Sequence, residues 1–148
     1  MYEHLLVPVD DSDLSDKAIE DSIGLAKMLG AAITGFTVER PLPPMVMEQV
    51  VIGYDPETIT EHQAQCETHA RQVLKRFADR AVAAGVPFDG QFTVTDNVQQ
   101  AIVDTAQRQK CDLIVMASHG RHGLDALING SLTKSVLSHS KLPLLIIH

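Results

Sequence analysis

The run Met116-Ala117-Ser118-His119-Gly120, followed after nine residues by Gly130-Ser131-Leu132-Thr133, combines residue types suited to holding an anion. Gly120 and Gly130 would let backbone approach oxygen atoms with no Cβ in the way. Ser131 and Thr133 add hydroxyl donors to amide donors, and His119 can hydrogen-bond a phosphate or a ribose. If Gly130-Ser131 opens a helix, its unpaired N–H groups and partial positive charge add to the attraction. The chemistry is that of a phosphate cradle between a strand and a helix. Two glycines alone would equally suit a turn and a helix boundary, so the neighbouring donors carry the argument.

Asp10 supplies a second polar group at the end of an apolar run, where a carboxylate can accept from ribose hydroxyls or an adenine amino group. Asp11 and Ser12 stand closer to the next helix and can do its capping, which leaves Asp10 for a ligand. Val38 ends a second apolar run and offers main-chain N–H and C=O to a base edge. Of the seven histidines, His62 and His69 lie seven apart on one helical stretch, where no Asp, Glu or Cys completes a ligand set at zinc-like spacing, and read as solvated surface. Ser118, His119 and His122 have no carboxylate placed by sequence to orient an imidazole, so no catalytic triad is read. GxxxxGK[ST] and GxGxxG are both absent.

The elements that must position these groups alternate along the chain. His4 to Asp10 is a short, branched apolar run that reads as a buried parallel strand, followed by a helix from Leu14 to Leu29 that Gly30 ends. Ala31 to Val38 is a second strand. The segment from Arg40 to Thr60, with Pro41, Pro43, Pro44, Gly53 and Pro56, is expected to be a lid or a connector containing a short docked helix. A long helix from Glu57 to Ala84 carries Cys66, Ala70, Val73, Leu74, Phe77 and Ala81 on one face. Phe88 to Thr95 is a third strand. Asn97 and Gln100 form a capping box for a helix with Val98, Ala101, Ile102, Thr105 and Ala106 inward. Cys111 to Ala117 is a fourth strand, Ser131 to Ser138 a short helix and Leu142 to Ile147 a fifth strand. Apolar strands alternating with helices imply a parallel sheet covered on both faces, with ligands bound beyond the strands' carboxyl ends where strand order reverses.

With 148 residues the chain fits a single domain, 1–148, large enough to bury roughly two thirds of its unfolded surface. Its formal charge of −7 disfavours nucleic acid as a partner, because that affinity comes from Lys and Arg neutralising phosphates. Arg121, His119, His122 and Lys134 nevertheless make one local region positive. Cys66 and Cys111 lack redox or metal spacing and read as reduced, inert thiols. No apolar run approaches the roughly 20 residues that span a bilayer, and the start lacks signal-peptide character. The expectation is a cytoplasmic protein with no membrane insertion.

With Val7-Pro8-Val9-Asp10-Asp11-Ser12 and Ala117-Ser118-His119-Gly120 to Gly130-Ser131 set out, the chain resembles the universal stress protein family over its whole length. Nucleotide-binding members carry Gly, two residues, Gly, nine residues, then Gly and Ser or Thr. The match here runs from Gly120 to Gly130-Ser131, while Ala117 stands where the first glycine is usual and Asp11 where the strand-one motif often has glycine. The resemblance implies an α/β three-layer sandwich of the adenine nucleotide alpha hydrolase type, with five parallel strands ordered 3-2-1-4-5. Pro8, Val9, Asp10 and Val38 would border adenine and ribose, and Met116, Ala117, His119 and Gly120 would floor the cleft. Gly130, Ser131, Leu132 and Thr133 would hold the phosphates of ATP, accompanied by Mg2+. The resemblance further implies a homodimer paired through the last strand, Leu142 to His148, that senses nucleotide and regulates a protein partner. An enzyme of this fold with slow ATP hydrolysis or AMP formation, and a nucleotide-free, chaperone-like dimer, are the alternative readings.

Overall fold

In a computed structural model, which describes residues 1–117 and 131–148, seven strands and four helices follow one another among the described residues. They are β1 (His4–Pro8), α1 (Asp13–Leu29), β2 (Ala32–Glu39), β3 (Met45–Met47), β4 (Val50–Ile52), α2 (Pro56–Ala83), β5 (Phe88–Val94), α3 (Val98–Arg108), β6 (Leu113–Ala117), α4 (Ser131–His139) and β7 (Leu144–Ile147). Five strands form one sheet in the order β5-β2-β1-β6-β7, with every neighbouring pair parallel. Numbering only these five, the order is 3-2-1-4-5, as the resemblance implies.

Strand alternation explains the three layers. Leu5 and Val7 point from β1 to one face, where Ile19, Ile23 and Ala26 of α1 and Val73, Phe77 and Ala81 of α2 cover them. Leu6 points to the other face, against Ile102 and Ala106 of α3 and Val136 of α4. Both faces are therefore buried, which is why the strand sequences are apolar nearly throughout.

The inward face of α2 is the expected one: Cys66, Ala70, Val73, Leu74, Phe77 and Ala81 are its buried residues. α1 starts at Ser12, whose hydroxyl accepts from the Ser15 amide, and stops at Gly30, whose φ of 67° places it in the left-handed region that glycine enters without strain. Asn97 caps α3 by accepting from the Gln100 amide at 3.2 Å. The reciprocal half of the expected capping box is missing, because the Gln100 side chain donates to Asp104 at 2.7 Å and the Asn97 amide donates to Thr95 at 3.1 Å.

Three strands are shorter than their apolar runs, β1 ending at Pro8 rather than at Asp10. Cys111 and Asp112 form the entry to β6 rather than part of it, since the Asp112 carboxylate accepts from the Glu3 and His4 amides at 2.8 and 3.1 Å. At β7 the turn at Ser140, whose hydroxyl accepts from the Leu142 amide, and Pro143 delay the strand to Leu144.

Between Arg40 and Thr60 the expected short helix is absent. β3 and β4 pair as an antiparallel hairpin, separate from the main sheet. Its two-residue turn is Glu48-Gln49, with φ of 48° and 67°. Val46 and Val51 are 62% and 72% exposed, so these two side chains are not covered by the described residues. The hairpin's Met, Val and Ile residues come in two three-residue runs flanking a turn, too short for helical periodicity and well suited to strands. The turn escapes a sequence reading because it uses no glycine or asparagine. Among the described residues no helix is long and apolar enough to cross a membrane.

Candidate functional site

In a sheet whose strands all run parallel, every carboxyl end lies at one edge, and strand order reverses at β1, between β2 and β6. A cleft of ≈ 240 Å³ opens there. Pro8 ends β1 and Val9 and Asp10 directly follow it, Phe36 and Val38 come from β2, and Arg40 from just beyond it. Met116 and Ala117 end β6, Val98 and Ile102 come from the first turns of α3, Leu132 from the start of α4, and Ser15 from α1. Of the sequence-derived site residues, Pro8, Val9, Asp10, Val38, Met116, Ala117 and Leu132 thus meet in one place. Thr133 is half-buried on α4 and is not among the residues lining the cleft. Ser131 begins α4. His119, Gly120 and Gly130 lie outside the described residues.

The cleft has apolar walls and a polar rim. Phe36, Ile102 and Met116 are almost wholly buried and form a slot suited to a flat ring. Main-chain parity explains what Val38 offers. The Val9 amide donates to Phe36 O at 2.8 Å, while on the other side of β2 the Thr95 amide donates to Glu39 O at 2.9 Å. Even-numbered residues of β2 therefore turn their N–H and C=O toward β1. Because β1 ends at Pro8, the N–H and C=O of Val38 face the space that the departing chain leaves.

Asp10 does more than the sequence indicates. Its Oδ1 accepts from the Ser12 amide at 2.9 Å and from the hydroxyls of Ser12 and Ser15 at 2.5 and 2.6 Å, and its own amide donates to Ser15 Oγ at 2.8 Å. The carboxylate is therefore held rigidly at the rim by the turn that starts α1, so lining the cleft and shaping the helix start are joint roles rather than alternatives. Arg76 Nη2 of α2 also donates to Asp10 O at 3.2 Å.

His62 and His69 are not simply solvated. His62 Nε2 lies 2.9 Å from Arg40 O and 3.3 Å from Cys66 Sγ. His69 Nδ1 meets Glu39 Oε1 at 2.6 Å, and its Nε2 faces Asp11 Oδ2 at 3.4 Å. The Glu39 carboxylate raises the His69 pKa above the usual imidazole value, outweighing the opposing effect of burial. Sequence reading missed this because the partners lie 30 and 58 residues away. It also missed Ser15, Phe36, Arg40, Val98 and Ile102, whose only signal is position at the sheet's carboxyl edge.

Both cysteines are buried, and burial pushes the Cys66 thiol up and the Cys111 thiol to about 11. Since the thiolate is the reactive form, neither should react at an appreciable rate with a disulfide reagent at about pH 8 in the folded protein, whereas both react after denaturation. Rapid labelling of either in native buffer, read by absorbance of the released thiol, would contradict that burial.

Comparison with known proteins agrees with this architecture. A Bacillus subtilis universal stress protein, YxiE, is 29% identical over 150 aligned residues, covering 99% of each chain. Among solved structures, a universal stress protein in complex with cAMP superposes with a TM-score of 0.72 at 24% identity, over 99% of this chain and 97% of that one. The Archaeoglobus fulgidus universal stress protein in complex with dAMP gives a TM-score of 0.64 at 18% identity, over 99% and 98%. At such identities the structures speak for the fold alone. The family model described as the universal stress protein family matches residues 1–148. With the strand order, the whole-length relatives and this match in agreement, the chain belongs to the universal stress protein family.

Proposed function

We propose that the cleft binds an adenine nucleotide, ATP with Mg2+ in the fullest form of the reading, and that the protein acts as a nucleotide-dependent sensor rather than as an enzyme. The observation that carries it is the convergence of an apolar slot, the outward main chain of Val38 and the fixed Asp10 carboxylate at the strand-order reversal. The slot suits the base, Val38 its polar edge and Asp10 the ribose hydroxyls. A volume of ≈ 240 Å³ lies near the lower end of small-molecule sites, about 300–1,000 Å³, and favours one nucleoside over a dinucleotide. Relatives solved with cAMP and dAMP are consistent with this ligand class.

The phosphates would extend toward the start of α4, where Ser131, Leu132 and Thr133 present the first amides of a helix. Gly120, Gly130 and His119 join this reading by sequence alone. Among the described residues no three His, Cys, Asp or Glu side chains converge as a metal cage, so phosphate oxygens and water would supply most ligands of a magnesium ion. Arg40 lines the cleft and begins the segment that leads to the exposed β3-β4 hairpin, a route by which occupancy would alter a surface for a protein partner. β7 is an edge strand with Leu145 41% exposed, and antiparallel pairing of two such edges would give the homodimer.

Calorimetric titration with ATP and magnesium tests the reading. Saturable heat at one site per chain and a rise in unfolding temperature are expected. Neither heat nor stabilisation at millimolar ATP would remove it. A time course showing stoichiometric ATP bound, with negligible ADP or AMP released, separates the sensor from a slow hydrolase.

A further inference from the structure

The two lips of the cleft are joined from outside. Asp11 directly follows the rim residue Asp10, and Glu39 lies between the cleft residues Val38 and Arg40. His69, on α2, touches both: Nδ1 meets Glu39 Oε1 at 2.6 Å and Nε2 faces Asp11 Oδ2 at 3.4 Å. An ionised carboxylate only accepts hydrogen bonds, and a neutral imidazole carries one N–H. Neutral His69 can therefore satisfy one carboxylate, leaving a ring lone pair against the other. The imidazolium alone donates to both. Without its charge, two carboxylates of like sign flank one neutral ring, and their repulsion favours separation.

The geometry points to His69 as a positioning residue that, as the imidazolium, braces the end of β2 against the turn after β1 and so holds the cleft at the width an adenine nucleotide needs. This rests on the nucleotide reading above. Glu39, whose side chain is 14% exposed, is the stronger arm, and Asp11, at 73%, the weaker. The surrounding charged and titratable groups are Glu39 and Arg40 at the end of β2, Asp11 and Asp16 at the start of α1, and His62, Cys66 and Arg76 on α2 itself. Asp16 is occupied by Arg76 and Arg80, with ion pairs at 3.6 and 3.2 Å, so it does not compete for His69. The brace is complete below the unfolded-state pKa of histidine and is lost as pH rises through the raised folded value. By linkage, a nucleotide that needs the braced width binds less tightly at high pH and raises the His69 pKa when it binds.

The test has two arms on the whole chain. In the ligand-free protein, amide hydrogen exchange at Val9, which donates to Phe36 O, and at Thr95, which donates to Glu39 O, corrected for intrinsic rates, is compared between about pH 6 and about pH 8.5. Protection should fall with rising pH in the wild type, stay low and pH-independent in His69→Gln, and stay high in His69→Lys, which keeps a cation. AMP affinity should fall about fivefold over the same range relative to His69→Gln, a ratio that cancels titration of the phosphate itself. NMR should show AMP raising the His69 pKa. If AMP binds with the same pH profile in wild type and His69→Gln, the brace is overturned while the nucleotide reading stands. If exchange follows the stated pattern but neither AMP nor ATP with magnesium binds at any pH, the nucleotide reading falls and the lip contact survives. Protection that is the same in wild type and His69→Gln at both pH values overturns the brace outright.

Discussion

Phe77→Ala should destabilise the protein by about 3–5 kcal/mol, out of a total of roughly 5–15 kcal/mol for a domain of this kind. Phe77 is fully buried on α2, with its ring centroid 4.8 Å from that of Phe88 on β5 and a tilt of 55° between them. The pair sits on the sheet where β2 carries Gly35. A Cβ at that position would lie 2.6 Å from the Phe88 ring and 2.9 Å from Phe77 Cδ1, so the missing side chain is what lets both rings reach the backbone. Removing the Phe77 ring leaves a void walled by sheet main chain, which has little freedom to collapse. Urea denaturation should show a lower midpoint with an unchanged slope. A loss below about 1 kcal/mol would mean that α2 closes the gap, and that the helix is less firmly seated than its buried face implies.

The largest functional effect is expected from Val98→Trp, which should weaken the proposed nucleotide binding about a hundredfold, equivalent to ~2.7 kcal/mol. Val98 is the first residue of α3 and half-buried, and it lines the slot beside Phe36, Ile102 and Met116. An indole there takes the place of the base without asking the sealed core beneath to move. Folding stability should change by no more than about 1 kcal/mol, because the residue is not a fully packed one. Calorimetric titration beside a thermal unfolding curve separates the two effects. Full affinity in the folded variant would place any bound nucleotide outside this cleft.

Much of this molecule is legible along the chain because its parallel strands are buried on both faces and its helices on one. The run at Leu5, Leu6 and Val7 announces a central strand, and the spacing of Cys66, Ala70, Val73, Phe77 and Ala81 announces the face of a helix; both are local patterns with a fixed period. The place of Asp10 and Val38 in the cleft was legible for a related reason, since both stand at strand ends, where such sheets open their crevice. The hairpin at Met45 to Ile52 was not, because its turn relies on Glu48 and Gln49 adopting positive φ, which their side chains do not advertise.

From its sequence alone, this protein's alternation of strand and helix and its family were already determined, because periodicity, turn residues and motif spacing are properties of neighbours along the chain. Only the tertiary structure decided that Val98 and Ile102 from α3 share a cleft with Asp10, that Ser15 fixes the Asp10 carboxylate, and that His69 reaches both Glu39 and Asp11. All of those contacts except the one from Ser15, which spans five residues, join residues far apart in the chain. They depend on the register of packed layers and the direction of individual side chains, quantities that no local pattern encodes.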